Sequence, residues 1–472
     1  MGSVRMQDIA RRPEPKETPR KNTIITMNGP VYNSKVQEKQ DHLDRLFRPH
    51  KQNLLHSKMP SGIWKGRRCF LIGGGPSLKG FDFSQLKGEL VITVNRAFED
   101  CSWSAINICQ DARVFGWYEG GDLGEEARKK FASYKGYKTW LNVQAFPFPE
   151  DIYQIDLCHV SDFNYKNYSG GIPPHGNSGL NALCVAACLG ADPIYLLGFD
   201  MKGSDKHTAN YHKGYPTQDS DNVYPQFIQD FKNAMGAFNP GSRVINLNPD
   251  SALRCFPFGR FEDLPKIKRP IVASFFTKGT GYEQEIKRLE ESCIRYGFEY
   301  DFLPAENKGT WRKNIHARIQ ILMDFLNKPH GRDILYIDAD GAIINYPTLF
   351  DNFQEDFGAV YMDREKYMPK VWNKEFYGEA PGGKWEILGG TMYLKNNIRV
   401  RKMLEKWEEL DAPMNTYLSQ VHLPNAIKAV PDLKIRKLPD GYCQIFDIMA
   451  EAGEPIIEHY QASRRSLLSV KC

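Results

Sequence analysis

The chain has 472 residues, of which 41% are hydrophobic and 25% are charged, and its formal net charge is +5. This length predicts two or three domains, and the composition is typical of a globular protein. No run of about 18 consecutive apolar residues occurs, which excludes a hydrophobic membrane-spanning helix. The mild basicity is compatible with an acidic ligand but does not require one.

The cysteine pattern and the first residues bear on where the protein works. The 10 cysteines are scattered without CxxC pairs or zinc-type spacing. This favours reduced thiols in a cytosolic protein over a zinc site or a disulfide framework. Residues 1–21 contain no apolar segment of the kind found in signal peptides. We therefore expect a cytoplasmic location.

Residues 1–65 form a polar segment rich in Lys, Arg, Gln and Pro. We interpret it as an extended or partly helical arm that precedes the first domain. Its basic residues could contact phosphates, although a run of this kind is more often a solvated tail.

The first domain is predicted over residues 66–260. RRCFLIGGGPSL is a short apolar run that ends in glycines, as a buried strand entering a phosphate-type loop does. ELVITVN and SAINICQD predict strands ending at Asn95 and Asp111, and KTWLNV predicts another strand. SGLNALCVAACLGA predicts a buried helix, and DPIYLLGFD predicts a strand ending at Asp200. Strands alternating with helices predict a doubly wound sheet that binds ligands at the carboxyl ends of its strands.

Two glycine-rich loops lie in the same domain, GGGPSL at residues 73–78 and PHGNSGLN at residues 174–181. Glycines after a strand let backbone amides approach phosphate oxygens, although no GK[ST] of a Walker loop follows here. Turn formation and helix capping would explain each polar residue separately. A ligand site explains better why they should gather at one edge of the sheet.

The order FLIGGGPSLKGFDFSQLKGELVITVN, then GNSGLNALCVAACLGADPIYLLGFDM, resembles the bacterial sialyltransferases of the Campylobacter type. It also resembles the archaeal 6-hydroxymethylpterin diphosphokinases, over roughly residues 66–250. The sialyltransferase resemblance implies a nucleotide held by the Gly-Pro-Ser loop and the Asn, and a His that acts as general base. The candidate bases are His207 and His212. The candidate donor-binding residues are Gly74, Gly75, Pro76, Ser77, Asn95, Asp111, Asn177, Ser178 and Asp200.

A Pro-bearing linker precedes the second domain, which is predicted over residues 261–472. PIVASFFTKGTGY, EYDFLP, FGAVYM and EILGGTMYLKN predict strands. YEQEIKRLEESCIRYG, NIHARIQILMDFL and RVRKMLEKWEEL predict helices. The order of these elements does not repeat that of the first domain. The predicted fold class is therefore α/β, with two Rossmann-like α/β domains.

The segment DILYIDADGAII carries the strongest chemical signal in the chain. A buried apolar strand delivers Asp338 and Asp340, and on a continuing strand both carboxylates would face the same way. Carboxylate oxygens suit Mg²⁺ or Mn²⁺. Such an ion would neutralise a diphosphate and stabilise it as a leaving group.

From about residue 270 onward, this pattern resembles the GT-A glycosyltransferases with their DXD motif. The resemblance implies a nucleotide-sugar donor, a Mn²⁺ or Mg²⁺ cofactor and a late His, here His459, as third ligand. It places Glu386 near the reacting carbon, as a catalytic candidate. The donor-binding residues that it implies are Ser274, Phe275, Thr277, Tyr282, Arg318, Gly389, Gly390 and Arg464.

Together the two resemblances predict a bifunctional enzyme of bacteriophage or bacterial type that transfers hexose or pentose. We expect the second domain to depend on metal and the first to work without one. The acceptor could be a glycan, a hydroxymethylated DNA base or a protein side chain. In the alternative interpretation, one catalytic GT-A domain is fused to a diphosphokinase-like or non-catalytic acceptor-binding domain.

Overall fold

The structure is a computed structural model, and it describes residues 53–142, 148–202, 210–216, 223–237, 242–368, 384–413 and 419–462. Two large sheets and one small sheet organise these residues. Helices lie between the strands of both large sheets.

The first sheet has eight strands that all pair in parallel, in the order β1-β6-β5-β4-β3-β2-β7-β8. Every residue of β2, β3, β4, β5 and β7 is buried, as expected of a parallel sheet covered on both faces. The strands are β1 Asn53–Leu54, β2 Cys69–Ile72, β3 Leu90–Val94, β4 Ile106–Cys109, β5 Tyr137–Leu141, β6 Ile152–Ile155, β7 Ile194–Leu197 and β8 Val244–Asn246.

Helices are interspersed with the strands of this sheet. The side chain of Asp111 accepts a hydrogen bond from the amide of Arg113 and so caps the first of them. Asn177 caps the third by accepting from the amide of Leu180. The helices are α1 Ala112–Gly120, α2 Glu125–Ser133, α3 Ser178–Cys188 and α4 Tyr224–Ala237.

The second sheet is mixed, with six strands in the order β10-β9-β11-β14-β13-β15. Strand β14 runs antiparallel to both neighbours, and the remaining pairs are parallel. A small sheet of order β12-β17-β16 adjoins it. The strands are β9 Ile271–Thr277, β10 Tyr300–Ala305, β11 Ile334–Ile337, β12 Gly341–Ile343, β13 Phe357–Asp363, β14 Trp385–Leu394, β15 Ile435–Leu438, β16 Gln444–Ile445 and β17 Ile457–His459.

Helices of the second region cover the mixed sheet. Buried residues of α7, α9 and α10 form one hydrophobic cluster with strands of that sheet. A second cluster contains buried residues of α5 together with residues of the first sheet. The helices are α5 Tyr282–Arg295, α6 Trp311–His316, α7 Arg318–Leu326, α8 Arg364–Tyr367, α9 Ile398–Asp411 and α10 Leu423–Lys428.

Polar contacts also join the two regions. The indole Nε1 of Trp64 donates to the carbonyl of Arg295 over 2.8 Å. The guanidinium of Arg269 lies 3.1 Å from the Glu89 carboxylate and 2.7 Å from that of Asp351. The α/β class with two Rossmann-like sheets is confirmed, whereas the domain limits at residues 65 and 260 stay predictions. Within the described ranges, no helix is both long and apolar enough to cross a bilayer.

Candidate functional site

The carboxylates of Asp338 and Asp340 lie in a turn that follows β11. The expected continuing strand is wrong, because β11 ends at Ile337 and the amide of Gly341 donates to the carbonyl of Asp338 over 2.8 Å. The chain then enters β12, which starts at Gly341. The two carboxylates still meet, because the turn folds the chain back on itself.

The side chain of His459, near the end of the described residues, also reaches this turn. Strand β17 pairs antiparallel with β12, and this register places His459 opposite Gly341. Ligand atoms of Asp338, Asp340 and His459 all lie within 4.8 Å of one another. Asp340 and His459 are buried, at 7% and 2% exposure. The predicted trio is therefore brought together in space, although its members span more than a hundred residues of sequence.

Each carboxylate of the trio is held by neighbouring groups. Arg318 Nη2 donates to both oxygens of Asp338, at 3.0 and 3.3 Å, and the Tyr336 hydroxyl donates to one of them at 2.6 Å. Asp340 Oδ2 accepts from the amide of Ala462 at 2.8 Å. Burial raises the pKa of the Asp338 carboxyl; Arg318 opposes this shift and Asp340 adds to it. A cation between the carboxylates would favour their charged forms.

The imidazole of His459 lies in a narrow space. Its Nε2 is 2.8 Å from the Thr391 hydroxyl, and its Nδ1 is 3.8 Å from Asp340 Oδ1. A Cβ on Gly390 would lie 3.0 Å from the imidazole Cε1, and a Cβ on Gly341 would lie 3.1 Å from it. The two glycines thus leave room for the ring and restrict where it can move.

We expect Gly390→Ala to weaken cation binding about tenfold or more, because the added methyl group would push the imidazole away from Asp340. Titration with Mn²⁺ followed by electron paramagnetic resonance would measure the loss. Gly279→Ala is unsuitable as a control because its φ is +69°, whereas Gly116→Ala places a methyl in open space on a helix. Wild-type Mn²⁺ affinity in Gly390→Ala would show that the ring position does not limit binding.

The donor set fits a small hard cation with one nitrogen ligand. Two carboxylates suit Mg²⁺ or Mn²⁺, and an imidazole is more typical of transition metals. Mn²⁺ accepts both kinds of ligand. Among the residues that the structure describes, this is the group of three His, Cys, Asp or Glu side chains with such spacing.

Predicted residues of β14 border the trio. Arg318 Nη1 donates to the carbonyl of Gly389 at 3.2 Å, and the amide of Asp338 donates to the carbonyl of Gly390 at 2.8 Å. The Glu386 carboxylate accepts from Gln420 Nε2 at 2.7 Å and from Arg364 Nε at 3.1 Å. Both Glu386 oxygens are therefore engaged, and its catalytic role stays a prediction.

Two neighbours of the trio were not identified from the sequence. Gln420 bridges Glu386 and the amide of Gly389, which its Oε1 accepts at 3.2 Å. Tyr336 lies on β11 two residues before Asp338, and its hydroxyl reaches the Asp338 carboxylate; this i, i+2 spacing was visible in the sequence. No sequence pattern identifies Gln420, because it is about 30 residues from Glu386 and Gly389 in the chain and contacts them only in the folded protein.

The remaining donor-binding candidates of this region lie on β9 and at the start of α5. The ring of Phe275 stacks on that of Tyr336, with centroids 6.3 Å apart, and so adjoins the trio. Ser274 and Thr277 are buried on β9, and Tyr282 is the first residue of α5. Their donor-binding role stays a prediction. Arg464 lies outside the described residues.

A second concave site lies at the carboxyl edge of the first sheet. It is a cavity of about 610 Å³. Its walls include seven of the predicted donor-binding residues: Gly74, Gly75, Asn95, Asp111, Asn177, Ser178 and Asp200. They also include polar and aromatic side chains that the sequence analysis had not selected: Gln110, Trp117, Tyr215, Tyr224 and Phe227. The predicted gathering of strand-end residues is what the structure shows.

Asp200 and Ser77 hold the glycine loop together. The Asp200 carboxylate accepts from the Ser77 amide at 2.7 Å, from the Ser77 hydroxyl at 2.5 Å and from Asn248 Nδ2 at 2.8 Å. A Cβ on Gly75 would lie 2.6 Å from the Asp200 carboxyl carbon. Gly74 and Gly75 line the cavity, whereas Pro76 and Ser77 do not, and the donor-binding role of all four stays a prediction.

Two carboxamides on the cavity wall have unused hydrogen-bonding atoms within the described part of the chain. Asn95 Oδ1 and Asn177 Nδ2 are buried without a hydrogen-bond partner there. Asn95 also has a φ of 55°, which non-glycine residues adopt rarely and often at functional sites. Both residues line the cavity, and buried polar atoms without a partner are unusual in folded proteins.

The candidate base His212 does not line this cavity. Its Nε2 lies 3.2 Å from Asp100 Oδ2, and its ring packs on Tyr211 with centroids 3.9 Å apart. This position gives the proposed base role no geometric support. His207 lies outside the described residues.

No protein-family model and no curated protein matches the chain. Three of the solved structures that match parts of it are glycosyltransferases. One, involved in the glycosylation of the major capsid of PBCV-1, matches 43% of this chain and 100% of its own, with 15% identity and a TM-score of 0.32. The WbbM bifunctional glycosyltransferase matches 54% of this chain and 63% of its own, with 11% identity and a TM-score of 0.32.

The galactosyltransferase LgtC, solved with donor and acceptor sugar analogues, matches 40% of this chain and 87% of its own. The identity is 12% and the TM-score is 0.28. Likenesses this partial do not assign an activity to the chain. The function proposed below depends on the geometry of the two sites.

Proposed function

We propose that the second region is a metal-dependent glycosyltransferase of the GT-A type, which takes a nucleotide sugar as donor. The observation that carries this proposal is the trio Asp338, Asp340 and His459 at the end of a buried strand. Acidic side chains are rarely buried without a partner, and two of them converging with an imidazole suit a divalent cation. A diphosphate is the natural further ligand of such an ion.

In this proposal each residue near the trio has a role that its contacts suggest. When bound, the cation would neutralise the diphosphate of the leaving group. Arg318, at 4% exposure, balances the charge of Asp338 and fixes its orientation. Gln420 links Glu386 to the amide of Gly389, and this chain of hydrogen bonds forms a rigid polar wall beside the glycines. The glycines allow Arg318, Gln420 and His459 to pack directly against this strand.

We propose a glycan as acceptor and the cytoplasm as the place of action. Trp385 is 40% exposed at the start of β14, and aromatic rings of this kind stack on sugars, although Lys384 and Lys437 lie over this ring. A hydroxymethylated DNA base stays a second possibility for the acceptor, because an indole stacks on bases as well. A hexose or a pentose is the proposed transferred group.

The first sheet supports a second candidate function, a sugar transfer without a bound cation. The cavity of about 610 Å³ is of the size of small-molecule sites, and its lining includes Gly74, Gly75, Asn95 and Asn177. A bifunctional enzyme with two donor sites follows from this proposal. If the cavity only presents an acceptor, or acts in diphosphate chemistry, the protein has a single transferase site.

The experiment that tests the main proposal is a donor screen. The protein is incubated with a panel of nucleotide sugars, with Mn²⁺, with Mg²⁺ or with EDTA, and release of UDP, GDP or CMP is measured. We expect a diphosphate nucleotide to be released from one donor only when a divalent cation is present. Release that is equal in EDTA, or no release from any donor, would contradict the proposal.

We expect EDTA to remove one of two sugar additions if both sites are active. The complementary variant is Asn95→Ala, which removes the carboxamide of a cavity-lining residue while the second site stays intact. Mass spectrometry of the acceptor would then show the opposite product pattern. Equal sensitivity of both additions to EDTA, or one addition under all conditions, would favour a single catalytic site with a binding domain.

A further inference from the structure

We propose that Thr391 is a positioning residue that determines which nitrogen of His459 binds the cation. The inference rests on the metal site of the proposed function. It adds that His459 binds through Nδ1 and keeps its proton on Nε2. Thr391 itself would touch neither the cation nor the substrate.

Thr391 is placed for this role by the pairing of two strands. In the antiparallel register of β11 and β14, Thr391 is opposite Ile337, the residue directly before Asp338. Its side chain is fully buried, and its Oγ1 is 2.8 Å from His459 Nε2. The hydroxyl therefore meets the imidazole on the side away from the carboxylates.

The two imidazole nitrogens face different partners. A neutral imidazole has one nitrogen that carries a proton and one that offers a lone pair. Nδ1 faces Asp340 Oδ1 across 3.8 Å, a gap too long for a hydrogen bond, whereas Nε2 is already at hydrogen-bond distance from Thr391. The lone pair on Nδ1 is thus directed to the space between the ligands, and Nε2–H donates to Thr391.

The opposite ring orientation would lose a hydrogen bond. Turning the imidazole by 180° about its Cβ–Cγ bond would put Cε1 in the place from which Nε2 now contacts Thr391 Oγ1 at 2.8 Å. His459 is also buried. If the proton were on Nδ1, the Thr391 hydroxyl would have to donate to Nε2, and the Nδ1–H group would point at the cation. Ligating histidines generally donate their second N–H to a fixed acceptor, and Thr391 Oγ1 lies at hydrogen-bond distance from Nε2, whereas Asp340 and the Cys443 thiol are further neighbours of the ring.

The test compares Thr391→Val, which keeps the shape and removes the hydroxyl, with Thr391→Ser, which keeps the hydroxyl. Titration with Mn²⁺, followed by electron paramagnetic resonance, should give a dissociation constant about 10- to 100-fold higher for Thr391→Val. It should be near the wild-type value for Thr391→Ser. Thr139→Val is the matched control, because Thr139 is a buried strand threonine of the first sheet whose hydroxyl bonds a backbone carbonyl.

A second measurement uses the wild-type chain and so does not depend on how the variants fold. With bound Cd²⁺ as a diamagnetic probe, long-range ¹H–¹⁵N spectra should show the Nε2–H form of His459, identified by its absence in His459→Gln. The Nδ1–H form, or wild-type Mn²⁺ affinity in a folded Thr391→Val, would overturn the inference. Wild-type Mn²⁺ binding by Asp340→Asn would instead contradict the metal site of the proposed function.

Discussion

Asp340→Asn is expected to lower metal-dependent transfer by about a thousandfold or more, because it removes one of two anionic ligands from the trio. Loss of a bound cation costs several kcal/mol of transition-state stabilisation, and each 1.36 kcal/mol is a factor of about ten in rate. The variant should keep its fold, since the amide oxygen of asparagine can still accept from the Ala462 amide. Release of nucleotide from the donor and a thermal unfolding curve measure the two effects.

Asp338→Asn should behave differently, although it removes a carboxylate from the same site. Arg318 is buried and donates to both oxygens of Asp338, so the substitution leaves a buried guanidinium without its counter-charge. Loss of one partner from such a pair costs about 3–5 kcal/mol of stability. Asp338→Asn should therefore lose both transfer and stability. If Asp340→Asn transfers sugar at the wild-type rate, the trio is not the metal site.

Arg269→Ala is expected to lower the free energy of unfolding by about 3–5 kcal/mol. Arg269 is 7% exposed and forms ion pairs with Glu89 of the first region and Asp351 of the second. It also donates to the carbonyl of Gly88. Removal of the guanidinium leaves the negative charges of Glu89 and Asp351 less well balanced and breaks this polar contact between the two regions.

Urea unfolding of Arg269→Ala measures this loss directly. The matched control is Arg243→Ala, because Arg243 also pairs with an aspartate, Asp192, but is 71% exposed. An exposed pair contributes little, so the control should unfold like the wild type within about 1 kcal/mol. Equal stability of the two variants would show that the ionic contact between the sheets adds nothing.

The strand ends of both sheets could be predicted from local sequence. Short apolar runs followed by Gly, Asn or Asp indicated β2, β3, β7 and β11 and the polar residues after them. The pairing of β12 with β17 could not be predicted in this way, because its residues lie more than a hundred positions apart. His459 was identified through the resemblance to GT-A enzymes, and only the strand pairing explains why it meets Asp340.

The sequence also could not show which polar residues bond to other protein groups and which are open to a ligand. Ser77 and Asp200 are both polar residues of segments that follow strands, and the structure shows that they bond to each other. His212 fits the pattern of a loop base, yet its neighbour in space is Asp100. The aromatic wall of Trp117 and Tyr215 comes from segments with no shared pattern, so only the folded chain brings them to one cavity.

Titration of the protein with Mn²⁺, monitored by electron paramagnetic resonance with and without a nucleoside diphosphate, tests the central claim most directly. It requires neither the correct sugar nor the acceptor. We predict one bound Mn²⁺ per chain at the trio, tighter binding when the diphosphate is added, and loss of binding in Asp340→Asn. Absence of Mn²⁺ binding by the wild type, or equal binding by Asp340→Asn, would contradict a metal-dependent transferase site at Asp338, Asp340 and His459.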